Sequence, residues 1–466
     1  MVRFGRWLAV VMLGLATVPQ TIAQQRSRMA KAPEMDPQVV AAVKEVSPAH
    51  VKATIEKLVG FYNRSTLSAT DPVSVAKGRG IGAAREWIRS EFERYSKDCD
   101  GCLKVEMQSF IVPPARRIPH ATEIVNVAAT LQGTDPANAG RIYLVSGHYD
   151  SRNSDNDNVT DPAPGANDDA SGTAVSLECA RVLSKYKFPA TIVFLAVAGE
   201  EQGLYGSAHY AAAAKAAKLD IEAVLNNDIV GGNRTPHDTM QQPQWVRVFS
   251  EGVPAAATPD EIKLIRATGM EDDSPSRQLA RYIREVAQQY VPAFDPKLVS
   301  RPDRYLRGGD HLSFNEQGFP AVRFTEYRED YNHQHQTPRF EKGIEYGDLA
   351  KFVDFTYVAN VARVNAATLA SLALAPAPPA NVRLITKNLE NDSTLTWSAS
   401  PGGLAVRYEV LWRPTTDTDW PPQNVEAVGD LAQTTLKRSK DNVVFAVRAV
   451  DAKGHHSVAV VPLPER

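Results

Sequence analysis

The chain has 466 residues, of which 43% are hydrophobic and 23% are charged, and its formal net charge is −2. This length is too great for one ordinary core and predicts two or three domains, while the composition excludes a disordered or fibrous chain. With a near-neutral charge, we expect no nucleic-acid or anionic-membrane partner, because both require a basic excess.

The amino terminus has the features of an export signal. Arg3 and Arg6 form a short basic region, and the apolar run from Trp7 to Val18 is too short to span a bilayer. Small residues at Thr21-Ile22-Ala23 suit cleavage after Ala23. We therefore expect a signal peptide over residues 1–23 and an exported mature protein, periplasmic or secreted, with no membrane span. The alternatives for this run are a membrane anchor and a buried helix.

The three cysteines do not predict a metal site. Cys99 and Cys102 form a CxxC pair, but no second pair is present to complete a zinc knuckle. In an oxidising compartment we expect a local disulfide between them. Cys179 lies in a helical stretch, where a buried apolar role is expected.

Residues 24–372 predict a single α/β domain. The part from about 35 to 96 is mostly helical, and short β-rich runs then alternate with helices, which predicts a mostly parallel sheet sandwiched by helices. The predicted strands are Lys104–Val112, Glu123–Leu131, Arg141–Ser146, Thr191–Val197, Ile221–Asn226 and Ala321–Thr325. The predicted helices after them are Thr173–Tyr186, Leu204–Ala217, Ser276–Val291 and Tyr346–Leu372.

A second, all-β domain is predicted at the carboxyl end. Residues 373–380 read as a stiff linker of Ala, Leu and Pro, and residues 381–466 contain short strands with Trp397, Tyr408 and Trp412 between turn residues. This segment resembles a fibronectin type III module, a small β-sandwich. We expect it to fold separately with few contacts to the first domain, and it is a candidate for binding a surface or polymer of unknown identity.

Five short segments concentrate metal-ligand residues at or after the ends of predicted strands. They are Ser146-Gly-His148-Tyr-Asp150, Gly165-Ala-Asn-Asp168-Asp169-Ala-Ser-Gly172, Ala198-Gly-Glu200-Glu201-Gln-Gly203, Asn226-Asn-Asp228 and Tyr331-Asn-His333-Gln-His335-Gln-Thr337-Pro338. Taken singly, each has an ordinary explanation, such as a helix cap or a solvated carboxylate pair. Together they predict a site, because strand ends of an open α/β sheet converge on one crevice.

The order and wording of these segments resemble the co-catalytic zinc peptidases, over roughly residues 48–365. That family contains secreted bacterial leucyl-type aminopeptidases, glutamate carboxypeptidases and glutaminyl cyclases. The resemblance implies two zinc ions bridged by Asp168. It implies that His148 and Asp228 complete one ion and that Glu201 and His335 complete the other.

The resemblance also implies the catalytic roles. Glu200 would act as the general base that takes a proton from the attacking water and passes it to the leaving amine. Asp150 would fix the tautomer of His148. The expected substrates are therefore peptides, cleaved at the amino-terminal residue. Oxygen and imidazole ligands without thiolate suit zinc, although cobalt and manganese also fit such a set.

Several points stay open on sequence alone. His333 is an alternative to His335 as the ligand, and Gly309-Asp310-His311 resembles a family segment near the substrate pocket rather than a ligand. The acidic loop over residues 151–161 lacks the Gly and the closing Glu of a calcium loop.

Three other functions remain alternatives. A carboxypeptidase would need cations for the substrate carboxylate, and Arg307, Arg323 and Arg328 are candidates. A glutaminyl cyclase would use a single zinc, and a binding protein would have lost its metals. No HExxH helix or Gly-x-Ser-x-Gly elbow supports other hydrolase mechanisms.

Overall fold

The part of the chain that can be described is residues 35–235 and 238–466 of a computed structural model. The predicted signal peptide lies outside these residues. Within them, no helix combines the length and apolar character needed to cross a bilayer.

The first predicted domain begins with four helices and then alternates strands with helices, as predicted. The helices are α1 (Pro37–Glu45), α2 (Pro48–Val59), α3 (Pro72–Ala76), α4 (Gly80–Asp98), α5 (Ala170–Leu183), α6 (Glu200–Gly203), α7 (Tyr205–Ala216), α8 (Pro259–Thr268), α9 (Pro275–Tyr290), α10 (His311–Glu316) and α11 (Phe355–Leu374). A disulfide joins Cys99 to Cys102 after α4, and Cys179 is buried in α5, as expected.

The eight-stranded central sheet confirms the predicted fold class. Its strands are β1 (Leu103–Val112), β2 (Thr122–Leu131), β3 (Arg141–His148), β4 (Thr191–Val197), β5 (Asp220–Asn227), β6 (Trp245–Ser250), β7 (Asp295–Val299) and β8 (Ala321–Glu326). They lie in the order β1-β2-β4-β3-β5-β8-β6-β7. The four central strands β4, β3, β5 and β8 run parallel, whereas β1, β2 and β6 pair antiparallel with their neighbours towards the centre.

Helices cover both faces of this sheet, and β4 illustrates why. All of its residues are buried, and they alternate between two cores. Ile192, Phe194 and Ala196 belong to the core that includes α5 and α11. Val193 and Leu195 belong to the core that includes α7 and α10. A strand buried on both faces reads as a continuous apolar run, which is the pattern seen in the sequence.

One prediction for this domain was wrong, and two strands were missed. The last helix does not begin at Tyr346, because residues 344–346 form a short strand and Asp354 caps α11 by accepting hydrogen bonds from the N–H groups of Thr356 and Tyr357. That strand, β10 (Ile344–Tyr346), pairs with β9 (Arg339–Glu341). In addition, β6 and β7 were not predicted.

The carboxyl-terminal segment forms two small sheets around a shared apolar core. Its strands are β11 (Ala380–Ile385), β12 (Ser393–Ser398), β13 (Arg407–Pro414), β14 (Val425–Gly429), β15 (Gln433–Leu436), β16 (Val443–Val450) and β17 (Leu463–Glu465). One sheet has the order β15-β12-β11-β17 and the other β14-β13-β16. Leu395, Trp397, Val410 and Phe445 lie in the core between them. The likeness to fibronectin type III stays a prediction.

The expectation that this segment makes few contacts with the rest was wrong. Residues Met35–Arg466 form one compact unit. Arg413 of β13 is buried and donates to both carboxylate oxygens of Asp273 at 2.8 and 2.9 Å, and Trp420 Nε1 donates to Gln278 Oε1 at 2.9 Å. Separating the two parts of the chain would leave Arg413 and Asp273 without each other, and an unpaired buried charge strongly destabilises the folded protein.

Candidate metal centre

The predicted metal ligands meet at the carboxyl ends of the parallel strands. His148 ends β3, Asp228 directly follows β5, and Glu200 and Glu201 begin α6 after β4. The possible ligand atoms form two groups, each within 4.8 Å of one another: His148, Glu200 and Asp228, and Asp168, Glu201 and His335. The structure therefore brings together the predicted ligands from all five segments.

Asp168, a member of the second group, also faces the first. Its Oδ1 is 3.1 Å from His148 Nε2, while its Oδ2 is 2.8 Å from His335 Nε2. Glu201 Oε2 is 3.1 Å from the same His335 nitrogen, and Asp228 Oδ1 is 3.8 Å from His148 Nε2. One carboxylate that faces an imidazole of each group with a different oxygen has the arrangement needed to bridge two cations.

The residues of this cluster fit cations. Within the described part of the chain, Glu201 Oε1 is buried without a hydrogen-bond partner, and His148 Nε2 has none of suitable geometry although Asp168 Oδ1 is 3.1 Å away. Such atoms are costly to bury unless a ligand satisfies them. The donor set of imidazole nitrogens and carboxylate oxygens suits zinc. The carboxylates outnumber the imidazoles, and bound cations would neutralise the surplus negative charge.

The electrostatics separate two of the carboxylates. Burial alone would raise the pKa of Asp168, but the neighbouring His335 and His148 hold it well below its usual range. Desolvation in the cluster raises the pKa of Glu200 well above its usual range although part of its side chain is exposed, and the charges of Asp228 and Glu201 add to the effect. Asp168 and Glu200 therefore have opposite preferences for a proton within this cluster.

Asp150 contacts both parts of the site. Its Oδ1 lies 3.4 Å from His148 Nδ1, and its Oδ2 accepts hydrogen bonds from Glu201 N at 3.2 Å and Thr66 Oγ1 at 3.1 Å. The carbonyl oxygen of Asp150 is also 3.2 Å from His148 Nδ1. With Nδ1 occupied in this way, Nε2 of His148 is left for a metal.

The geometry separates His335 from His333. His333 stacks on Phe352 with ring centroids 3.7 Å apart, and its Nδ1 is 3.4 Å from Asn233 Oδ1. It has no contact with the carboxylates of the two groups among the described interactions. His335, in contrast, contacts Asp168 and Glu201, so the structure favours it as the ligand.

Two glycines allow the elements that carry these ligands to approach closely. A Cβ on Gly147 would lie 2.3 Å from the carbonyl carbon of Gly172. A Cβ on Gly172 would lie 2.0 Å from Asn227 O. The start of α5 can therefore pack directly against the ends of β3 and β5, which places Asp168 beside His148 and Asp228.

Sequence reasoning missed two carboxylates that hold the ligand loops. Asp169 Oδ2 accepts from His148 N at 3.0 Å, and its Oδ1 accepts from Gly172 N at 2.8 Å. Asp348 accepts from the N–H groups of Asn167 and Asp168, both at 2.7 Å. Asp169 stands within a quoted motif and could have been recognised as a helix cap, whereas Asp348 lies 180 residues from Asp168 and has no signal in the sequence.

Asp310, in a segment that the sequence placed near the substrate pocket, is a buried acid beside the centre. Neither of its carboxylate oxygens has a hydrogen-bond partner within the described residues. Burial raises its pKa to about 7, and the charges of Asp228 and Asp150 contribute to the increase.

Comparison with known proteins agrees with this geometry. The model of peptidase family M28 matches residues 126–354. A probable zinc metalloprotease of Pyricularia oryzae is 48% identical over 443 residues, which cover 93% of this chain and 86% of the relative. A probable zinc metalloprotease of Leptosphaeria maculans is 44% identical and covers 93% of this chain and 98% of the relative. The chain belongs to peptidase family M28.

Solved structures support the fold of this M28 peptidase. LapA of Legionella pneumophila superposes with a TM-score of 0.50 at 22% identity, covering 74% of this chain and 78% of LapA. LapB of the same organism gives a TM-score of 0.50 at 20% identity, covering 74% of this chain and 77% of LapB. The predicted family is confirmed, and with it the predicted class of enzyme, a zinc-dependent peptidase.

Proposed function

We propose that this M28 peptidase is an exported aminopeptidase that uses two zinc ions to remove the amino-terminal residue of peptides. The observation that carries the proposal is the position of Asp168, whose two oxygens face His148 and His335 separately. A glutaminyl cyclase that runs on one zinc would not need both groups of ligands. Export rests on the leader sequence, and binding of a surface or polymer by the carboxyl-terminal module is a proposal without a structural argument.

The residues around the two groups supply the remaining chemistry. Zinc ions held by these two groups would supply Lewis-acid polarisation of a carbonyl and a lowered pKa for a bound water. Glu200, at the edge of the cleft and partly exposed, accepts the proton of the attacking water and donates it to the leaving amine. Asp150 keeps His148 in the tautomer that presents Nε2.

The three arginines considered for a carboxypeptidase are occupied by other partners. Arg323 is fully buried and pairs with Asp228 and Asp303. Arg328 pairs with Asp238, and Arg307 pairs with Glu329. None of them is positioned as a free cation for a substrate carboxylate, which favours the aminopeptidase.

A second candidate, the carboxypeptidase, is favoured by one other cation. Arg117 lies on the tight turn Ala115–Ile118 between β1 and β2, and its Nη1 donates to the carbonyl oxygen of Glu201 at 3.1 Å. Its side chain is exposed and has no ion-pair partner among the described residues. A substrate carboxylate could bind such a guanidinium.

A substrate panel tests the proposal. Aminoacyl anilides, which have a free amine and no carboxylate, should be hydrolysed, whereas N-acetylated peptides with a free carboxylate should not. Activity on the acetylated peptides alone would establish the carboxypeptidase. Exhaustive chelation should abolish turnover and added zinc should restore it; full activity of a chain shown by elemental analysis to be metal-free would contradict the metallopeptidase.

A further inference from the structure

A buried arginine contacts the carboxylate that we assign to one metal ion. Arg323 is the third residue of β8 and is fully buried. Its Nη2 is 2.8 Å from Asp228 Oδ1, its Nη1 is 3.0 Å from Asp303 Oδ2, and its Nε donates to Thr325 Oγ1 at 2.9 Å. Five N–H donors in a planar fork are thus held in one orientation, which a lysine could not reproduce.

The oxygen that Arg323 holds also lies near the imidazole of the same group. Asp228 Oδ1 is 3.8 Å from His148 Nε2. The backbone of Asp228 is fixed by the same strand, since Thr325 Oγ1 donates to Asp228 O at 2.8 Å. Arg323 therefore sets the direction of this carboxylate and places a positive charge beside its ligand oxygen.

The guanidinium of Arg323 is shared between two carboxylates, because Asp303 is a second counter-ion beside Asp228. Asp303 also pairs with Arg304 at 3.0 Å, and Arg304 pairs with Glu329 at 3.0 Å. Arg323 is thus shared between a structural ion network and the metal ligand. Asp228 retains charge for a cation, but its oxygen donates less electron density than a carboxylate with no cation beside it.

The other group of ligands has no such contact. Among the described residues, no lysine or arginine forms an ion pair with the carboxylate of Asp168 or Glu201. The additional side-chain donor to Asp168 Oδ2 is the neutral amide of Gln334, at 3.2 Å. The positive charge of Arg323 thus acts on one side of the centre.

We propose that Arg323 is a positioning residue that makes the two metal positions unequal. By holding and polarising Asp228 Oδ1, it weakens binding of the ion at His148 and Asp228, and it leaves that ion more electrophilic than the ion at Glu201 and His335. The inference rests on the two-ion arrangement of the proposed function.

The test is a zinc-release titration. The protein loaded with Zn²⁺ is equilibrated with increasing concentrations of a chelator, and retained zinc is counted by elemental analysis. The wild type should lose its ions in two separate steps. His148→Ala, which removes a ligand of the weaker position, should abolish the weaker step and so assign it.

Substitutions then separate charge from shape. In Arg323→Gln combined with Asp303→Asn, which removes the second carboxylate that pairs with Arg323 along with the cation itself, the weaker step should tighten by about tenfold or more while the tighter step stays unchanged. Arg323→Lys keeps the charge, so its weaker step should stay within about threefold of the wild type. The matched control is Arg304→Gln, which removes a buried guanidinium that contacts Asp303 and Glu329 but makes no ion pair with Asp228, and it should move the weaker step much less than the double variant does.

The outcomes are distinguishable. A wild type that binds a single ion overturns the two-ion proposal, and this inference with it. Two ions with a weaker step that does not move in the double variant, or that moves equally in Arg304→Gln, overturn this inference alone. If the double variant does not fold, Arg323→Lys decides, because a tightening of about tenfold with the charge retained would contradict an electrostatic role.

Discussion

Glu200 and Glu201 are adjacent in the sequence but have different environments in the site. Glu201 is almost completely buried and contacts His335, whereas Glu200 is partly exposed in the group of His148 and Asp228. The same residue type can therefore serve as ligand at one position and as base at the next, since environment and not chemistry sets the role.

Glu200→Gln tests this division of roles. The amide keeps size and shape but cannot accept the proton, so turnover should fall by about 10²-fold or more while zinc content stays normal. Glu201→Gln, the matched variant, should first lose zinc from one position. The measurements are zinc per chain and turnover of an aminoacyl anilide. If Glu200→Gln lost zinc and Glu201→Gln did not, the assignment of the pair would be reversed.

Asp150→Asn tests the orientation of His148. The carboxylate of Asp150 accepts a hydrogen bond from Glu201 N and faces His148 Nδ1. In Asp150→Asn, the NH2 group of the side-chain amide replaces one of these two acceptor oxygens. We expect zinc affinity to fall by about 10–100-fold with the fold retained. Asp161→Asn, at an exposed position in the loop that follows, is the control and should bind zinc normally. Unchanged affinity combined with a large loss of turnover would show that Asp150 acts on the reaction directly.

At the scale of elements, the loops that carry the ligands are held by a buried guanidinium. Arg64, fully buried between α2 and α3, donates to the carbonyl oxygens of Tyr149 and Gly165 at 2.9 and 2.8 Å, and also to those of Leu58 and Pro164. Burial lowers its pKa to about 10. One side chain thus joins the loop after β3 to the loop that leads into α5.

Arg64→Lys should loosen this junction. An ammonium group cannot reach all four carbonyls, and the loss of two hydrogen bonds at about 1 kcal/mol each predicts a decrease of about 2 kcal/mol in the free energy of unfolding. Denaturant unfolding of the metal-free protein measures it. Arg89→Lys, on the exposed face of α4, is the control. Equal stability of both variants would show that the hydrogen bonds from the Arg64 guanidinium to these carbonyl oxygens do not contribute to the free energy of unfolding.

At the scale of the whole molecule, a histidine joins the carboxyl-terminal segment to the first helix. His455 Nδ1 is 2.8 Å from Asp451 Oδ2, and its Nε2 is 3.1 Å from Asp36 Oδ2 at the start of α1. Burial alone would lower the pKa of His455, but Asp451 and Asp36 outweigh it and raise the pKa. The folded protein therefore binds this proton more tightly than the unfolded chain.

The sign of the pH dependence follows from the raised pKa. The contribution of His455 to stability is fully present below its unfolded pKa, about 6.5, and is lost as the pH rises through the folded pKa. His455→Gln should thus lower the melting temperature most at about pH 6 and progressively less at alkaline pH. His50→Gln, on the exposed side of α2, is the control. A constant difference across the pH range would contradict an ion pair at this contact.

The fold and the ligand set were largely predictable because both depend on local patterns. Thr191–Val197 was predicted with the bounds it has, since a fully buried strand is a continuous apolar run. The strands β6 and β7 were missed because they lie beyond the parallel core and lack that run, as the mixed burial of Asp295–Val299 shows. Ligands at successive strand ends converge in any open α/β sheet, so their meeting followed from their order.

The sequence by itself determined the family, the α/β fold and which side chains can bind metal, because residue type and spacing along strands carry that information. Only the tertiary structure distinguishes His335 from His333, since both stand in the same segment and just one faces Asp168. It alone brought Arg323 to Asp228 and Asp348 to Asp168, and it alone joined Arg413 to Asp273. Contacts between residues far apart in the chain leave no periodic signal, because they depend on how the packed elements are arranged in space.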